Sequence, residues 1–331
     1  MRQRRVLAGL VGVLTAVSVV AAPQASAAGC VYNRVDLPLP AGVTSAHTEG
    51  SSANNSRIVG AYRDPNVTKA ALWVNSTLRV LPPAVSPFYD VFPEDVNNTS
   101  VVVGSQEWRA SDRTATQAFR FENNAYQFLY TALDENSRGQ YVNEAGDVVG
   151  TVWKRANPTE RTVVMWPREG GRRSFGLGQA SGLSGRKIVK YDEANSKSLI
   201  VDADTGATVE LPGGRPPAVV DGGRVLTYRW VDQVVGGEIA EWDLNGVEVA
   251  IHRGGYQPYG RNNSGTVFGV LEPMLGSTPS LWRPSGRTAV VADKLPIAHY
   301  YGDVTDAATL IGTYNGEADQ LRPARWLWVC S

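Results

Sequence analysis

The segment "VNEAGDVVG", from Val142 to Gly150, combines turn residues with an apolar run that ends in glycine. After a variable stretch comes "TVVMWPREGG", which places Trp166 in a second apolar run. Short apolar runs separated by turn residues are typical of β-strands. The pair of runs recurs along the chain, and its glycine place is taken by Gly60, Gly104, Gly150, Lys190, Thr227, Gly269 and Gly312. Its tryptophan place is taken by Trp73, Phe121, Trp166, Val201, Trp242, Trp282 and Trp326.

The spacing between successive glycine places indicates the fold. They lie 44, 46, 40, 37, 42 and 43 residues apart, and four-stranded repeats of about 40–50 residues are typical of β-propeller blades. A four-stranded sheet cannot bury both faces alone, whereas blades in a closed ring bury them against each other. The sequence therefore predicts an all-β, seven-bladed β-propeller. Six blades are the alternative, because units four and five have weak turn signals and lack glycine in the glycine place.

The recurring unit resembles the HAF-type extracellular repeat, in which a turn of the form IN-x-x-G-x-VVG leads into an AF-LW-x-NG strand pair. The resemblance covers nearly all of the chain after residue 28 and implies a repeat fold without a catalytic motif. In a propeller, the gap between blades widens away from the axis. The tryptophans are therefore expected to fill this gap as core residues, since large rings contribute most to such packing.

The two ends of the chain predict how the ring closes. The last unit has a tryptophan strand, "ARWLWVC", but no fourth strand. The segment "CVYNRVDLPLP", which begins at Cys30, has the Val-x-Leu-Pro ending of a fourth strand. We therefore expect the N-terminal strand to join the last blade, with a Cys30–Cys330 disulfide locking the ring.

Residues 1–28 have the pattern of a signal peptide, with a basic start, a short apolar core and a small-residue cleavage site at Ala25–Ala27. Residues 29–331 are expected to form a single secreted propeller domain without a membrane span. This mature part carries 29 basic and 32 acidic residues. Its charge argues against a nucleic-acid partner held by phosphate contacts and against electrostatic adhesion to anionic surfaces.

Two groups of residues are candidates for a binding site. The connections from second to third strands open on one face, and they are predicted to be long and rich in aromatic and charged side chains. The candidates on this rim are Tyr62, Arg63, Trp108, Arg109, Trp153, Arg155, Tyr228, Trp230 and Tyr314. Such residues suit a carbohydrate or a protein partner, and structural capping of the blades is the alternative. The first strands add the channel candidates His47, Asp90, Tyr259 and His299.

The sequence has no G-x-S-x-G, H-E-x-x-H or calcium-loop motif, so we expect no cofactor and no metal site. The favoured hypothesis is a secreted, non-catalytic, lectin-like module that binds cell-surface carbohydrate or a secreted protein. Its architecture is similar to the lectin subunits of secreted umbrella toxin particles, where a propeller binds target cells and docks onto an adaptor. The alternative is an extracellular polysaccharide hydrolase or lyase that uses channel carboxylates, such as Glu49, Asp90, Asp95 and Asp303.

Overall fold

A computed structural model describes residues 30–54, 56–83, 89–110, 113–212, 219–232, 236–271, 279–283, 288–290, 303–305, 309–316 and 320–330. These residues form seven four-stranded antiparallel sheets, so the prediction of a seven-bladed, all-β propeller is confirmed. No helix in these ranges is long and apolar enough to cross a membrane. The predicted signal peptide, residues 1–28, lies outside the described residues.

The first three blades are each built from four consecutive strands. Blade 1 contains β2 (Ala46–Ser51), β3 (Arg57–Asp64), β4 (Val67–Val74) and β5 (Thr77–Val80). Blade 2 contains β6 (Asp90–Val96), β7 (Val102–Ala110), β8 (Arg113–Glu122) and β9 (Ala125–Phe128). Blade 3 contains β10 (Glu135–Val142), β11 (Val148–Lys154), β12 (Asn157–Trp166) and β13 (Arg173–Leu177).

The next three blades follow the same order. Blade 4 contains β14 (Gln179–Ser184), β15 (Lys187–Asp192), β16 (Lys197–Asp202) and β17 (Thr208–Leu211). Blade 5 contains β18 (Val219–Asp221), β19 (Arg224–Asp232), β20 (Gly236–Asp243) and β21 (Glu248–Arg253). Blade 6 contains β22 (Gly255–Arg261), β23 (Val267–Leu271), β24 (Pro279–Trp282) and β25 (Thr288–Val290).

Blade 7 is assembled from both ends of the chain. It contains β26 (Asp303–Val304), β27 (Leu310–Asn315) and β28 (Leu321–Cys330), and its fourth strand is β1 (Cys30–Asp36). The register runs from Cys30 opposite Cys330 to Asp36 opposite Ala324, which confirms the predicted closure by the N-terminal strand. The side chains of the two cysteines lie outside the described part, so their disulfide stays a prediction.

The glycine places lie on the second strands and the tryptophan places on the third strands of all seven blades. The aromatic residues in the tryptophan place are buried, as predicted. Several indoles also tie their blade to the preceding one. Trp73 Nε1 donates to Pro38 O at 2.8 Å, and Trp166 Nε1 donates to Tyr130 O at 2.8 Å. Both acceptors lie just after the last strand of the preceding blade.

The hydrophobic core is divided among the interfaces between blades. Seven apolar clusters each combine residues of two neighbouring blades. Neighbouring residues on one strand enter different clusters, since strand side chains alternate between faces. Ile58, for example, packs towards blade 7, whereas Val59 packs towards blade 2. Both faces of a middle strand are therefore buried, which explains the uninterrupted apolar triplets.

The asparagines of the repeated turn join the blades at one end of the channel. Asn143 Oδ1 accepts a hydrogen bond from the backbone nitrogen of Asp147 at 2.8 Å. Its Nδ2 donates to Gly185 O of the next blade, also at 2.8 Å. Asn97 makes the same link to Asn143 O at 2.9 Å. Each side chain thus closes its own turn and satisfies a carbonyl of the neighbouring turn.

Candidate functional site

The first strands of five blades share a β-bulge, in which one residue has no partner on the second strand. In β2, for example, the register skips between Thr48 and Gly50. A bulge bends the strand and re-aims the side chain of the extra residue. The bulged residues in this position, called the bulge ring below, are Glu49, Glu94, Gln140, Ser181 and Tyr259; β22 also skips Tyr256 nearer its start.

The glycine that ends the apolar triplet makes room for this bulge. A Cβ atom placed on Gly150 would lie only 1.9 Å from the carbonyl oxygen of Arg138, two residues before the bulged Gln140. The same contact would measure 2.0 Å at Gly60, 2.1 Å at Gly104 and 2.5 Å at Gly269. A side chain there would push the first strand away. Blade 4 forms its bulge with Lys190 in this place, and we have no physical account of that exception.

The bulge ring lines a cavity of about 500 Å³ on the propeller axis. Residues of all seven blades contribute to the wall of this cavity. The wall includes the turns between first and second strands, such as those at Asn97 and Asn143, so the cavity lies at that end of the channel. Because successive strands are antiparallel, the hairpins between second and third strands lie at the opposite end. We call that opposite end the hairpin face.

Two members of the bulge ring are acidic and belong to adjacent blades. His47 Nε2 lies 2.8 Å from Glu49 Oε1, and Arg138 Nε donates to Glu94 Oε1 at 2.6 Å. Burial raises the pKa of Glu94 to about 7; Arg138 opposes this rise, and the carboxylate of Glu49 adds to it. Glu94 can therefore gain or lose a proton near neutral pH.

The other members of the bulge ring are neutral and polar. Thr151 Oγ1 donates to Gln140 Oε1 at 2.6 Å, which leaves the amide nitrogen of Gln140 as a donor. The hydroxyl groups of Ser181 and Tyr259 can both donate and accept. The ring therefore combines acceptors, donors and an aromatic side chain in one cavity. In the described ranges, no three His, Cys, Asp or Glu side chains come together as a metal-binding set.

The connections predicted as long rim loops are tight hairpins in blades 1 and 3. Only residues 65–66 separate β3 from β4, and only residues 155–156 separate β11 from β12. The prediction of long loops was wrong for these blades because the paired strands continue to the end of the segment. Arg63 pairs with Thr68, and Asp64 with Val67, without a break in register.

Three of the predicted rim tyrosines are buried: Tyr62 is 4%, Tyr228 7% and Tyr314 6% exposed. Tyr62 and Tyr314 lie two residues after the glycine place, where both enter the clusters between blades. The hydroxyl of Tyr314 donates to Asp36 Oδ2 of the closing strand at 3.0 Å, and Arg34 lies 4.1 Å from its ring. These contacts favour the structural alternative for the buried tyrosines.

The tryptophans of the hairpin face are more accessible. Trp230 is 48% exposed, and the half-buried Trp108 stacks on Tyr89 at 5.9 Å between ring centroids. The guanidinium of Arg161 lies 5.8 Å from the ring of the half-buried Trp153. The other charged candidates on this face are Arg63 and Arg155, which are exposed, and Arg109, whose side chain is outside the described part. A binding role for this face stays a prediction.

The channel candidates have different positions. Tyr259 belongs to the bulge ring, and His47 contacts the ring through its glutamate neighbour. Asp90 begins β6 at the other end of the channel, where its Oδ1 accepts from Thr68 N of blade 1 at 2.6 Å. Asp90 therefore ties two blades together. His299 lies outside the described residues.

Glu94, Gln140 and Ser181 were missed as site residues. A signal for them exists in the sequence, since every member of the bulge ring precedes its glycine place by 9 to 11 residues. The position follows from the fold: the first strand ends, a turn reverses the chain, and the second strand returns to face the bulge. Without the register, however, this position cannot be distinguished from its neighbours on the first strand.

No family model and no curated protein matches the chain, so the resemblance to HAF-type repeats stays a prediction. Solved propellers are similar in fold. An oligogalacturonate lyase from Vibrio parahaemolyticus has a TM-score of 0.55 at 9% identity, over 90% of this chain and 97% of that chain. A catalytically inactive virginiamycin B lyase from Staphylococcus aureus, solved with quinupristin, has 0.55 at 10% identity, over 91% and 100%. The WD40 repeats of RRP9 have 0.56 at 12% identity, over 91% and 98%. These likenesses show the fold alone.

Proposed function

We propose that the protein is a secreted, non-catalytic propeller that recognises cell-surface carbohydrate and holds a saccharide in the axial cavity. The observation that carries this proposal is the bulge ring, which aims five polar side chains from five blades into one cavity. A concave site with a few convergent polar groups is the usual form of a small-ligand site.

The chemistry of the ring suits a saccharide because sugar hydroxyls both donate and accept hydrogen bonds. The carboxylates of Glu49 and Glu94 can accept from vicinal hydroxyls, and the amide nitrogen of Gln140 can donate. Tyr259 adds an aromatic side chain at the wall. The cavity of about 500 Å³ is within the range of small-molecule pockets.

Loss of the neutral ring groups should weaken saccharide binding. We expect the double variant Gln140→Leu, Ser181→Ala to bind its best saccharide at least about tenfold more weakly, because two hydrogen bonds are lost. Binding would be measured by calorimetry after a screen of surface polysaccharides and their oligomers. The matched control, Trp108→Ala with Trp153→Ala, removes aromatic groups from the hairpin face and should leave the affinity unchanged. The reverse pattern would place the sugar on the hairpin face.

The hairpin face is available for a second partner within the same proposal. Its exposed Trp230 and half-buried Trp108 and Trp153 have the composition of protein interfaces, where tryptophan and arginine are enriched. We therefore expect the protein to form a stable complex with a secreted partner, as a subunit of a multi-protein toxin particle would. Gentle capture of the tagged protein from culture fluid should yield stoichiometric partners in a large particle. A monomer near the mass of the mature chain would contradict this part of the proposal.

A second candidate function is favoured by the pKa of Glu94, which burial raises to about 7. A carboxyl that can donate a proton near neutral pH, with a second carboxylate on the adjacent blade, has the properties of a general acid for cleavage of a glycosidic bond. The two functions are separated by incubating the protein with each bound polysaccharide. Release of shorter products that is lost in Glu94→Gln, with binding retained, would establish catalysis.

A further inference from the structure

The charge of the axial cavity is one-sided. Four carboxylates line it, from Glu49, Glu94, Asp95 and Glu144. Among the described residues, no lysine or arginine side chain belongs to its wall. The basic side chains closest to the acidic pair, His47 and Arg138, already contact Glu49 and Glu94.

The four carboxylates differ in what they already bind. Asp95 accepts from the backbone nitrogens of Val96 and Val142, at 2.8 and 2.9 Å, so it serves to join blades 2 and 3. Glu144 is exposed and accepts from the backbone nitrogen of Asn98 at 3.2 Å. Glu49 and Glu94 instead contact the side chains of His47 and Arg138, and they are the two carboxylates of the wall that lie on bulges.

The backbone geometry supports this distinction. Glu49 and Glu94 occupy the same bulge in adjacent blades. A Cβ atom placed on Gly50, next to Glu49, would lie 2.6 Å from the backbone oxygen of Glu94, so the two strands approach closely here. The Oε1 atom of Glu49 contacts Nε2 of His47, and the Oε1 atom of Glu94 accepts from both Nε and Nη2 of Arg138. Each carboxylate has further acceptor capacity, since it can accept on both oxygens.

Resting on the proposed saccharide-binding function, we infer that the axial cavity selects saccharides that carry a basic amino group, with Glu49 and Glu94 accepting hydrogen bonds from the ammonium. The neutral members of the ring, Gln140 and Ser181, then contact the hydroxyl groups. A uronic acid is disfavoured in the same place, because its carboxylate would meet carboxylates of like charge in a partly buried site.

The raised pKa of Glu94 is consistent with this selection. Burial and the neighbouring Glu49 disfavour its charged form in the empty cavity. An ammonium between the two carboxyl groups favours the charged form of both. Charge-assisted hydrogen bonds are roughly twice as strong as neutral ones, so the amine should improve the affinity by about tenfold over its acetylated counterpart.

The test compares three short oligomers by calorimetry at neutral pH, where Glu94 is charged in part and an ammonium can complete its ionisation: glucosamine, N-acetylglucosamine and galacturonic acid. We expect the glucosamine oligomer to bind about tenfold more tightly than the acetylated one and the uronic acid to bind least. The double variant Glu49→Gln, Glu94→Gln should lose this preference while still binding the acetylated oligomer. Because glutamine resembles the protonated glutamate, the substitution is compatible with folding, which thermal unfolding would verify.

The control variant Glu160→Gln removes the same charge on the hairpin side, at the start of β12, and should retain the preference. Equal affinity for the amino and acetylated oligomers, or a preference that survives in the double variant, would overturn the inference and leave the proposed function standing. If no member of the wider polysaccharide screen binds, the inference and the proposed function both fail.

Discussion

Replacing Gly150 by alanine should lower the free energy of unfolding by more than about 3 kcal/mol, because the added methyl group has no space. Its Cβ atom would lie 1.9 Å from the carbonyl oxygen of Arg138 and 3.0 Å from the Cα atom of Gly139, both backbone atoms of the first strand. The two strands would have to separate to accommodate this atom. Urea unfolding monitored by tryptophan fluorescence measures this change.

The matched control is Gly170→Ala in the same blade. Gly170 has a φ of +110° and no heavy atom within 4 Å of an added Cβ, so this variant carries backbone strain without a clash. Its cost should stay near 1–2 kcal/mol, roughly the cost of a left-handed backbone for an L-residue. If both variants lose the same unfolding free energy, the repeated glycine is not needed for the close approach of the first and second strands.

Removing the expected disulfide should have the second large effect. The double variant Cys30→Ser, Cys330→Ser should lose up to about 4–5 kcal/mol of unfolding free energy, since the bond would close a loop from residue 30 to residue 330. The register already places the two residues opposite each other at the end of β1 and β28. Urea unfolding with and without a reductant measures the loss.

In this experiment the wild-type protein should lose stability in reductant, whereas the double variant should be insensitive to it. Mass spectrometry under non-reducing conditions should find no free thiol in the purified protein. Two free thiols, or identical unfolding midpoints for both proteins in both conditions, would mean that the ring is held by the strand pairing of β1 and β28 alone.

The fold could be predicted because most blades repeat the same physical pattern. In four blades a glycine lies on the second strand where the first strand approaches closely, as at Gly60 and Gly104, and in six blades a large ring is buried on the third strand, as at Trp73. Ring closure was predictable for a related reason. A blade that lacks its fourth strand leaves the edge of its third strand unpaired. The segment that begins at Cys30 has the sequence pattern of a fourth strand, and it pairs with this edge.

The candidate site could be predicted only in part, because it depends on register. The aromatic residues Tyr62 and Tyr314 look accessible in the sequence, yet the alternation of strand side chains turns both into the interfaces between blades. Glu94 and Gln140 look like ordinary strand residues until the bulge is known. A bulge changes which face every following residue occupies, so a period-two pattern cannot locate it without the partner strand.

The most direct test of binding in the axial cavity is an experimental structure of the protein with the saccharide that it binds best. We expect a sugar ring in the axial cavity, within hydrogen-bonding distance of Gln140 and Ser181, with its most basic substituent facing Glu49 and Glu94. A sugar on the hairpin face, stacked on Trp108 or Trp153, with no ligand in the axial cavity, would contradict it.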